Sequence, residues 1–109
     1  MKRIAVVILN WNGIELLKKF IPNTINNSEQ ANIYVIDNFS EDDSVDFLKR
    51  NYPNIKVIEL DKNYGFAEGY NLGLKEIDEE IYCLINSDIK VTKNWLEPVI
   101  NKFNNNNVS

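Results

Sequence analysis

Four apolar runs in this chain each give way to a short polar cluster, and the side chains of those clusters are the ones equipped for chemistry. Asn10-Trp11-Asn12 follows the run from Ile4 to Leu9, and Asp37-Asn38 follows the run from Ile33 to Ile36. Asp61-Lys62-Asn63 follows Lys56 to Leu60, and Asn86-Ser87-Asp88 follows Ile81 to Ile85. The last cluster is the most informative. Asp88 offers hard carboxylate oxygens, which suit Mg²⁺ or Mn²⁺, and such a cation commonly bridges phosphates. Asn86 adds a carbonyl oxygen, a weaker ligand of the same kind. Asp37 can accept from the imide N–H of a pyrimidine or from a ribose hydroxyl. Trp11 can stack on a base or wall it in. Gathered at one place, these side chains would make a nucleoside-diphosphate site. Each also has a plainer use: Asp88 as a turn residue, Asp37 as a loop cap for the next helix, Trp11 as a closure of the pocket or core.

Composition narrows the classes. A chain of 109 residues makes one domain with room for one core. The net charge of −4 weighs against nucleic acid, whose partners carry a basic face. An anionic nucleotide would then rely on a metal or on backbone N–H groups rather than on a lysine patch. The chain has no histidine, so the commonest general base is absent. Its single cysteine, Cys83, lies inside an apolar run and reads as a small buried hydrophobe; one cysteine forms no internal disulfide, which fits a reducing compartment. No run approaches the length of a membrane span, and Ile4 to Leu9 is too short for the apolar region of a signal peptide. Neither G-x-G-x-x-G nor G-x-x-x-x-G-K-[ST] is present, which argues against dinucleotide-binding and P-loop proteins.

The elements between the clusters decide whether the clusters meet. The β-branched run from Ile4 to Leu9 has the character of a strand covered on both faces. Ile14, Leu17 and Ile21 recur at helical spacing, and Pro22 is expected to kink or restart that helix. Ile33 to Ile36 is a second strand, and the segment from Ser40 to Ser44 caps a short helix with Val45, Leu48 and Tyr52 on one face. Lys56 to Leu60 is a third strand. Phe66, Tyr70, Leu74 and Ile77 share a helical face, with Gly69 and Gly73 calling for close packing on the sheet or on a ligand. After the buried fourth strand, Ile89 to Val91 is a candidate short strand and Thr92 an N-cap. Trp95, Leu96, Val99, Ile100 and Phe103 give a last helix, and Asn104 to Asn107 reads as a disordered end. Such alternation implies an α/β fold with a parallel sheet. Ligands of these sheets bind outside the carboxyl ends of the strands, where the strand order reverses. In the order 3-2-1-4 the first and fourth clusters flank that point, with Asp37 one strand away.

The segments that carry these clusters resemble the motifs of family 2 glycosyltransferases. Val7-Ile8-Leu9-Asn10-Trp11-Asn12-Gly13 is similar to the first strand and turn of that family, and Val35-Ile36-Asp37-Asn38-Phe39-Ser40-Glu41-Asp42-Asp43-Ser44 to its second motif. Asn63-Tyr64-Gly65-Phe66-Ala67-Glu68-Gly69-Tyr70-Asn71-Leu72-Gly73 resembles the third, in its rhamnosyltransferase-like form. Leu84-Ile85-Asn86-Ser87-Asp88 stands where the family has D-x-D. The resemblance runs from Ile4 to about Phe103. It implies a Rossmann-like GT-A fold with a mostly parallel sheet and helices on both faces. It also implies a nucleoside-diphosphate sugar as donor and a divalent metal, Mn²⁺ or Mg²⁺. By position, Asn10 and Trp11 would contact the base and Asp37 the base or ribose, with Asn12 a further residue of the binding site. Asn63, Gly65 and Asn71 would line the nucleotide and donor side, Asn86 and Ser87 would join them, and Asp88 would hold the metal. The chain departs from the pattern at Asn86, where many members carry aspartate.

In this family the acceptor half and the catalytic base follow the D-x-D region, and no residue here matches that base. The expected protein is therefore the donor-binding part of an enzyme of cell-surface polysaccharide synthesis, inactive by itself, with residues 1–109 as one nucleotide-sugar-binding unit. The acceptor would be a glycan or lipid-linked acceptor, and the location the cytoplasm or, for the full-length protein, the periphery of the inner membrane face. The alternative is a non-catalytic nucleotide-binding or interaction module. A sugar nucleotidyltransferase is disfavoured, because it needs a Gly- and Arg-rich loop where this chain has Asn10-Trp11-Asn12-Gly13.

Overall fold

The computed structural model describes residues 3–108, with side chains through residue 102. The elements run β1 (Ile4–Asn10), α1 (Ile14–Asn26), β2 (Asn32–Asp37), α2 (Ser44–Asn51), β3 (Lys56–Glu59), α3 (Phe66–Leu74), β4 (Ile81–Ile85) and α4 (Glu97–Val108). The four strands form one parallel sheet, as the alternation of elements predicts, and their order is the expected β3-β2-β1-β4. β1 is central, and its β-branched run is buried along almost its whole length.

The order of strands explains where the helices lie. Crossovers between parallel strands are right-handed. The chain moves one way from β1 to β2 to β3, then returns past β1 to β4, so the returning helix must cover the opposite face. Leu17 and Ile21 of α1 and Leu48 of α2 accordingly pack with Val6, Ile8 and Val35, and Leu96 joins them. Tyr70 of α3 and Ile77 pack with Ala5, Val7, Tyr34 and Ile36 on the other side.

The glycines of α3 serve the sheet. A Cβ at Gly73 would stand 2.3 Å from Cδ1 of Ile36, and one at Gly69 would meet Asn38 and Leu9 at 3.1 and 3.2 Å. Helix backbone therefore lies directly on β1 and β2. This leaves β4 uncovered on that side, so Tyr82 and Leu84 are 42% and 49% exposed. The fourth strand is thus an edge strand with one bare face rather than a fully buried one. Cys83, on its other face, is half-buried, and burial pushes its thiol up.

Several local expectations give way to tertiary packing. α1 runs through Pro22 without a break, because Leu17 and Ile21 on its first turns and Thr24 on its last are buried on the same face. Phe66 opens α3 but is 64% exposed, so the buried stripe of that helix begins at Gly69. Residues 89–91 are not a strand: Val91 N–H donates to Asn23 Oδ1 at 2.8 Å, which ties the segment to α1 instead of to a sheet edge. Thr92 accepts from Trp95 N–H through its carbonyl in a turn that precedes α4, and is not that helix's N-cap. The backbone of the asparagine run continues α4 to Val108. The side chain of Phe103 lies outside the described residues, as do those of the asparagines.

Candidate functional site

At the carboxyl end of β1, Asn10 is buried and its amide donates to Asp37 Oδ1 at 2.9 Å and to Ser40 Oγ at 3.2 Å. Parallel pairing places Asn10 directly beside Asp37, so this bond follows from strand register. Asp37 is only 3% exposed. Its carboxylate also accepts from the Ser40 hydroxyl at 2.7 Å and from the Ser40 N–H at 2.9 Å. Those bonds fold the loop after β2 back on itself, with Phe39 at φ 65°. The amide oxygen of Asn10, Oδ1, faces Gly13, where a Cβ would approach within 2.6 Å. It is the one buried side-chain polar atom without a hydrogen bond among the described residues.

The residue after β2, Asn38, reaches the other way. Asn38 Oδ1 accepts from Tyr64 N–H at 2.9 Å, and Asn38 Nδ2 donates to the Gly65 carbonyl at 3.0 Å. Asn63 Oδ1 accepts from Gly65 N–H at 2.9 Å. Gly65 has φ 82° and ψ −177°, a conformation confined in practice to glycine. The loop before α3 is thus clamped to the end of β2. Within it, the Tyr64 hydroxyl donates to the Asp61 carboxylate, which raises the Tyr64 pKa.

β1 and β4 part company at the point where strand order reverses, since their pairing ends at Ile8 and Ile85. The hydroxyl of Tyr70 fills that gap: it accepts from Leu9 N–H at 3.3 Å and donates to the Ile85 carbonyl at 3.1 Å. Burial pushes its pKa up, so it remains a donor. Asn86 to Ile89 then forms a turn closed by Ile89 N–H on the Asn86 carbonyl at 3.2 Å.

A cavity of about 560 Å³ opens among these strand ends. It is lined by Leu9, Trp11, Leu16, Asn38, Asn63, Gly65, Phe66, Asn86, Ser87 and Asp88. Trp11, Asn63, Gly65, Asn86, Ser87 and Asp88 are thereby brought together from three separate loops. Asn10, Asn12 and Asp37 stand outside the lining, in the hydrogen-bonded network under the Trp11 loop. Asn71 is exposed on α3 and does not reach the cavity. Four lining residues were not singled out by sequence: Leu9, Leu16, Asn38 and Phe66. Asn38 sits in a polar strand-end cluster and was visible in principle. The others read as core, and only the structure shows Leu16 and Phe66 exposed, and Leu9 half-buried, at the rim.

Asp88 is the only charged side chain in the lining, and no lysine or arginine is among the described residues that form it. No group of three His, Cys, Asp or Glu side chains converges among the described residues. The donor set therefore fits a hard cation that takes most of its ligands from phosphate and water, as Mg²⁺ often does. A second cavity of about 560 Å³ lies at the opposite end of the sheet, lined by Ile25, Tyr52, Pro53, Asn54 and their neighbours. Volume does not choose between them. Position does, because open α/β sheets bind ligands at the carboxyl ends beside the switch point.

Residues 5–109 match the family described as glycosyl transferase family 2. The chain belongs to this family. It is 24% identical over 110 residues to the teichoic acid poly(glycerol phosphate) polymerase of Staphylococcus epidermidis, which covers 96% of this chain and 15% of that one. It is 28% identical over 100 residues to a putative polypeptide N-acetylgalactosaminyltransferase 10 of Caenorhabditis briggsae, covering 85% of this chain and 14% of that one. The structure of S. aureus TarS 1-349 in complex with UDP-GlcNAc superposes with a TM-score of 0.80 at 22% identity, over 96% of this chain and 32% of that chain. Mannosyltransferase PcManGT from Pyrobaculum calidifontis, in complex with GDP-Man and Mn²⁺, gives 0.75 at 19% identity, over 84% and 29%. At such identities the likeness is one of fold, the GT-A arrangement of a parallel α/β sheet. The family 2 chain spans a minor part of each relative's length.

Proposed function

We propose that this family 2 chain is the donor-binding part of a glycosyltransferase that moves a sugar from a nucleoside-diphosphate sugar to a glycan or lipid-linked acceptor in cell-surface polysaccharide synthesis. The observation that carries the proposal is the meeting of Trp11, Asn63, Gly65, Asn86, Ser87 and Asp88 around one cavity at the switch point. The nucleotide sugars held by TarS and PcManGT support the ligand class, and the Mn²⁺ of PcManGT supports the metal.

Trp11 and Phe66 supply exposed aromatic walls for the base and sugar. Asn10, Asn12 and Asp37 hold the loop that carries Trp11, the Asp37 carboxylate being buried and engaged by Asn10 and Ser40. Asn63 and Gly65 flank the donor side, and Asn71 is left without a contact in the cavity. Asp88 would hold Mg²⁺ or Mn²⁺, assisted by the carbonyl oxygen of Asn86, and the cation would neutralise the diphosphate and its developing charge as it leaves. Proton removal from the acceptor hydroxyl is assigned to no residue of this chain, so the isolated chain binds the donor without transferring its sugar. Residues 1–109 act as one nucleotide-sugar-binding unit, placed in the cytoplasm or at the inner membrane face, where nucleotide sugars are available. No helix of the described residues is long and apolar enough to cross a membrane.

Calorimetry with UDP, dTDP and GDP, each with Mn²⁺, tests the reading. Saturable binding of one of them supports it, and silence from all three at millimolar concentration overturns it. A second reading, a nucleotide-binding module without catalysis, draws on the solitary carboxylate of Asp88. Donor hydrolysis or transfer by a longer protein containing this chain would exclude that reading.

A further inference from the structure

Two loops beside the cavity are tied together by a reciprocal pair of side chains. Asn12, between β1 and α1, accepts through Oδ1 from the N–H of Glu41 at 2.7 Å and of Asp42 at 3.3 Å. Asp42, between β2 and α2, returns the contact: its Oδ2 accepts at 3.1 Å from the N–H of Ile14, the first residue of α1. Its Oδ1 accepts from the Ser44 N–H at 3.0 Å and from the Ser44 hydroxyl, at the start of α2. The residues at the two N-cap positions, Gly13 and Asp43, make no side-chain capping bond. One carboxylate therefore caps two helices. The first turn of a helix has unsatisfied N–H groups and a partial positive charge, so an anion shared between two such ends is doubly favoured.

Asp42 lies in the segment from Ser40 to Ser44 that the sequence marks as the cap of one helix, α2. Its carboxylate is turned to the first N–H groups of both helices, Ser44 of α2 and Ile14 of α1. Burial disfavours its charge, but the bonds from the Ser44 hydroxyl, the Ser44 N–H and the Ile14 N–H outweigh burial and hold its carboxyl below the usual range. It is therefore an anion wherever the helix ends need one.

Trp11 stands between these ties. On one side Asn10 is bound to Asp37 and Ser40. On the other, Asn12 donates its N–H to Ser40 Oγ at 2.9 Å and sits at φ 50°, a left-handed conformation that must be held by its surroundings. Trp11 is itself 53% exposed, so the loop rather than burial fixes its place. We propose that Asp42 is a positioning residue for the donor site: by capping α1 and α2 together, and with Asn12 as its reciprocal partner, it sets where Trp11 stands at the cavity wall. The step from Trp11 to nucleotide affinity rests on the donor-site reading above.

The test uses the full chain carrying Trp95→Phe, which leaves Trp11 as its sole tryptophan. Acrylamide quenching of Trp11 is read without nucleotide, and UDP, dTDP and GDP affinity with Mn²⁺ is read separately. Asp42→Ala should raise quenching about twofold and weaken the best of the three nucleotides about tenfold. Asn12→Gly, which suits the left-handed backbone, should reproduce both effects, and the double variant should add little, because the two residues form one tie. Asp42→Asn, which keeps one acceptor, should fall between the parent and Asp42→Ala. Glu79→Ala serves as the control. It removes bonds to Asn32 and Tyr34 at the other end of the sheet, so it should lower the melting temperature without moving either readout. If Asp42→Ala and Asn12→Gly lower thermal stability but leave Trp11 quenching at the parent value, Asp42 is only a helix cap and the proposal fails. Should Asp42→Ala not fold, Asn12→Gly decides alone. A parent chain that binds none of the three nucleotides, yet shows released Trp11 in the variants, would overturn the donor reading and leave the placement of Trp11 by Asp42 standing.

Discussion

Asp88 and Asn38 do different work at the cavity, and single substitutions separate them. Asp88 is the only charge in the lining, so Asp88→Ala should abolish the Mn²⁺-dependent part of nucleotide binding, a loss of at least about tenfold. Calorimetry with Mn²⁺ and with EDTA should then give the same weak isotherm. Asn38 carries no charge but satisfies both Tyr64 N–H and the Gly65 carbonyl. Asn38→Ala leaves those groups without partners, at a cost of about 1–3 kcal/mol. Its effect should appear in urea melts as well as in affinity, whereas Asp88→Ala, made at an exposed turn, should leave the melts unchanged. Asp88 was readable in the sequence because a lone carboxylate after an apolar run invites a chemical explanation. Asn38 stood in an equally polar cluster, but its role depends on a loop that follows β3, and no local pattern shows that contact.

Among the elements, α3 and β2 are the most tightly matched. Gly73 lies against Ile36, which is fully buried. Gly73→Ala should therefore destabilise by about 1–3 kcal/mol through overpacking, despite the better helix propensity of alanine. A lower urea midpoint at unchanged slope would show it. The lower end of β2 gives a pH test. Tyr34 and Asn32 donate to Glu79 Oε2 at 2.8 and 2.7 Å, tying the segment before β4 across the sheet. Burial, then the Glu79 hydrogen bond and charge, push the Tyr34 hydroxyl up to about 12. Its folded pKa is raised, so the unfolded chain loses this proton first. The stabilisation is fully present below the ordinary value of 10.0 and is lost as pH rises through about 12. Tyr34→Phe should flatten the fall in melting temperature across that alkaline window, while the burial-shifted Tyr70 keeps part of the slope.

The whole molecule carries a net charge of −4, and its candidate site has no basic side chain in the lining. A diphosphate brought there meets Asp88 and the repulsion of an acidic protein. Nucleotide binding should therefore depend on a divalent cation more steeply than on ionic strength. Chelation should remove it, while raising salt from low to physiological levels should change affinity only by a small factor, because the metal–phosphate contacts are short and little screened. The same scale explains β4. Its outer face is bare because α3 is drawn over β1 and β2 by the two glycines, and a helix cannot cover three strands at once.

Composition, periodicity and the placing of polar residues after apolar runs determined the α/β class and the four parallel strands, while the short strand expected at residues 89–91 is absent from the sheet. They could do so because strand burial and crossover handedness act through local pattern. They also put Trp11, Asn63, Gly65, Asn86, Ser87 and Asp88 at one end of the sheet, since every parallel strand delivers its carboxyl end to the same rim. Tertiary structure alone decided which of these polar residues face a cavity and which are used up inside. Asn10 and Asp37 are neighbours because strand register pairs them, and their hydrogen bonds turn them inward. Asn12 and Asp42 meet across a separation of thirty residues because two loops share one rim. Contacts of that kind depend on distances between loops, and no spacing along the chain encodes them.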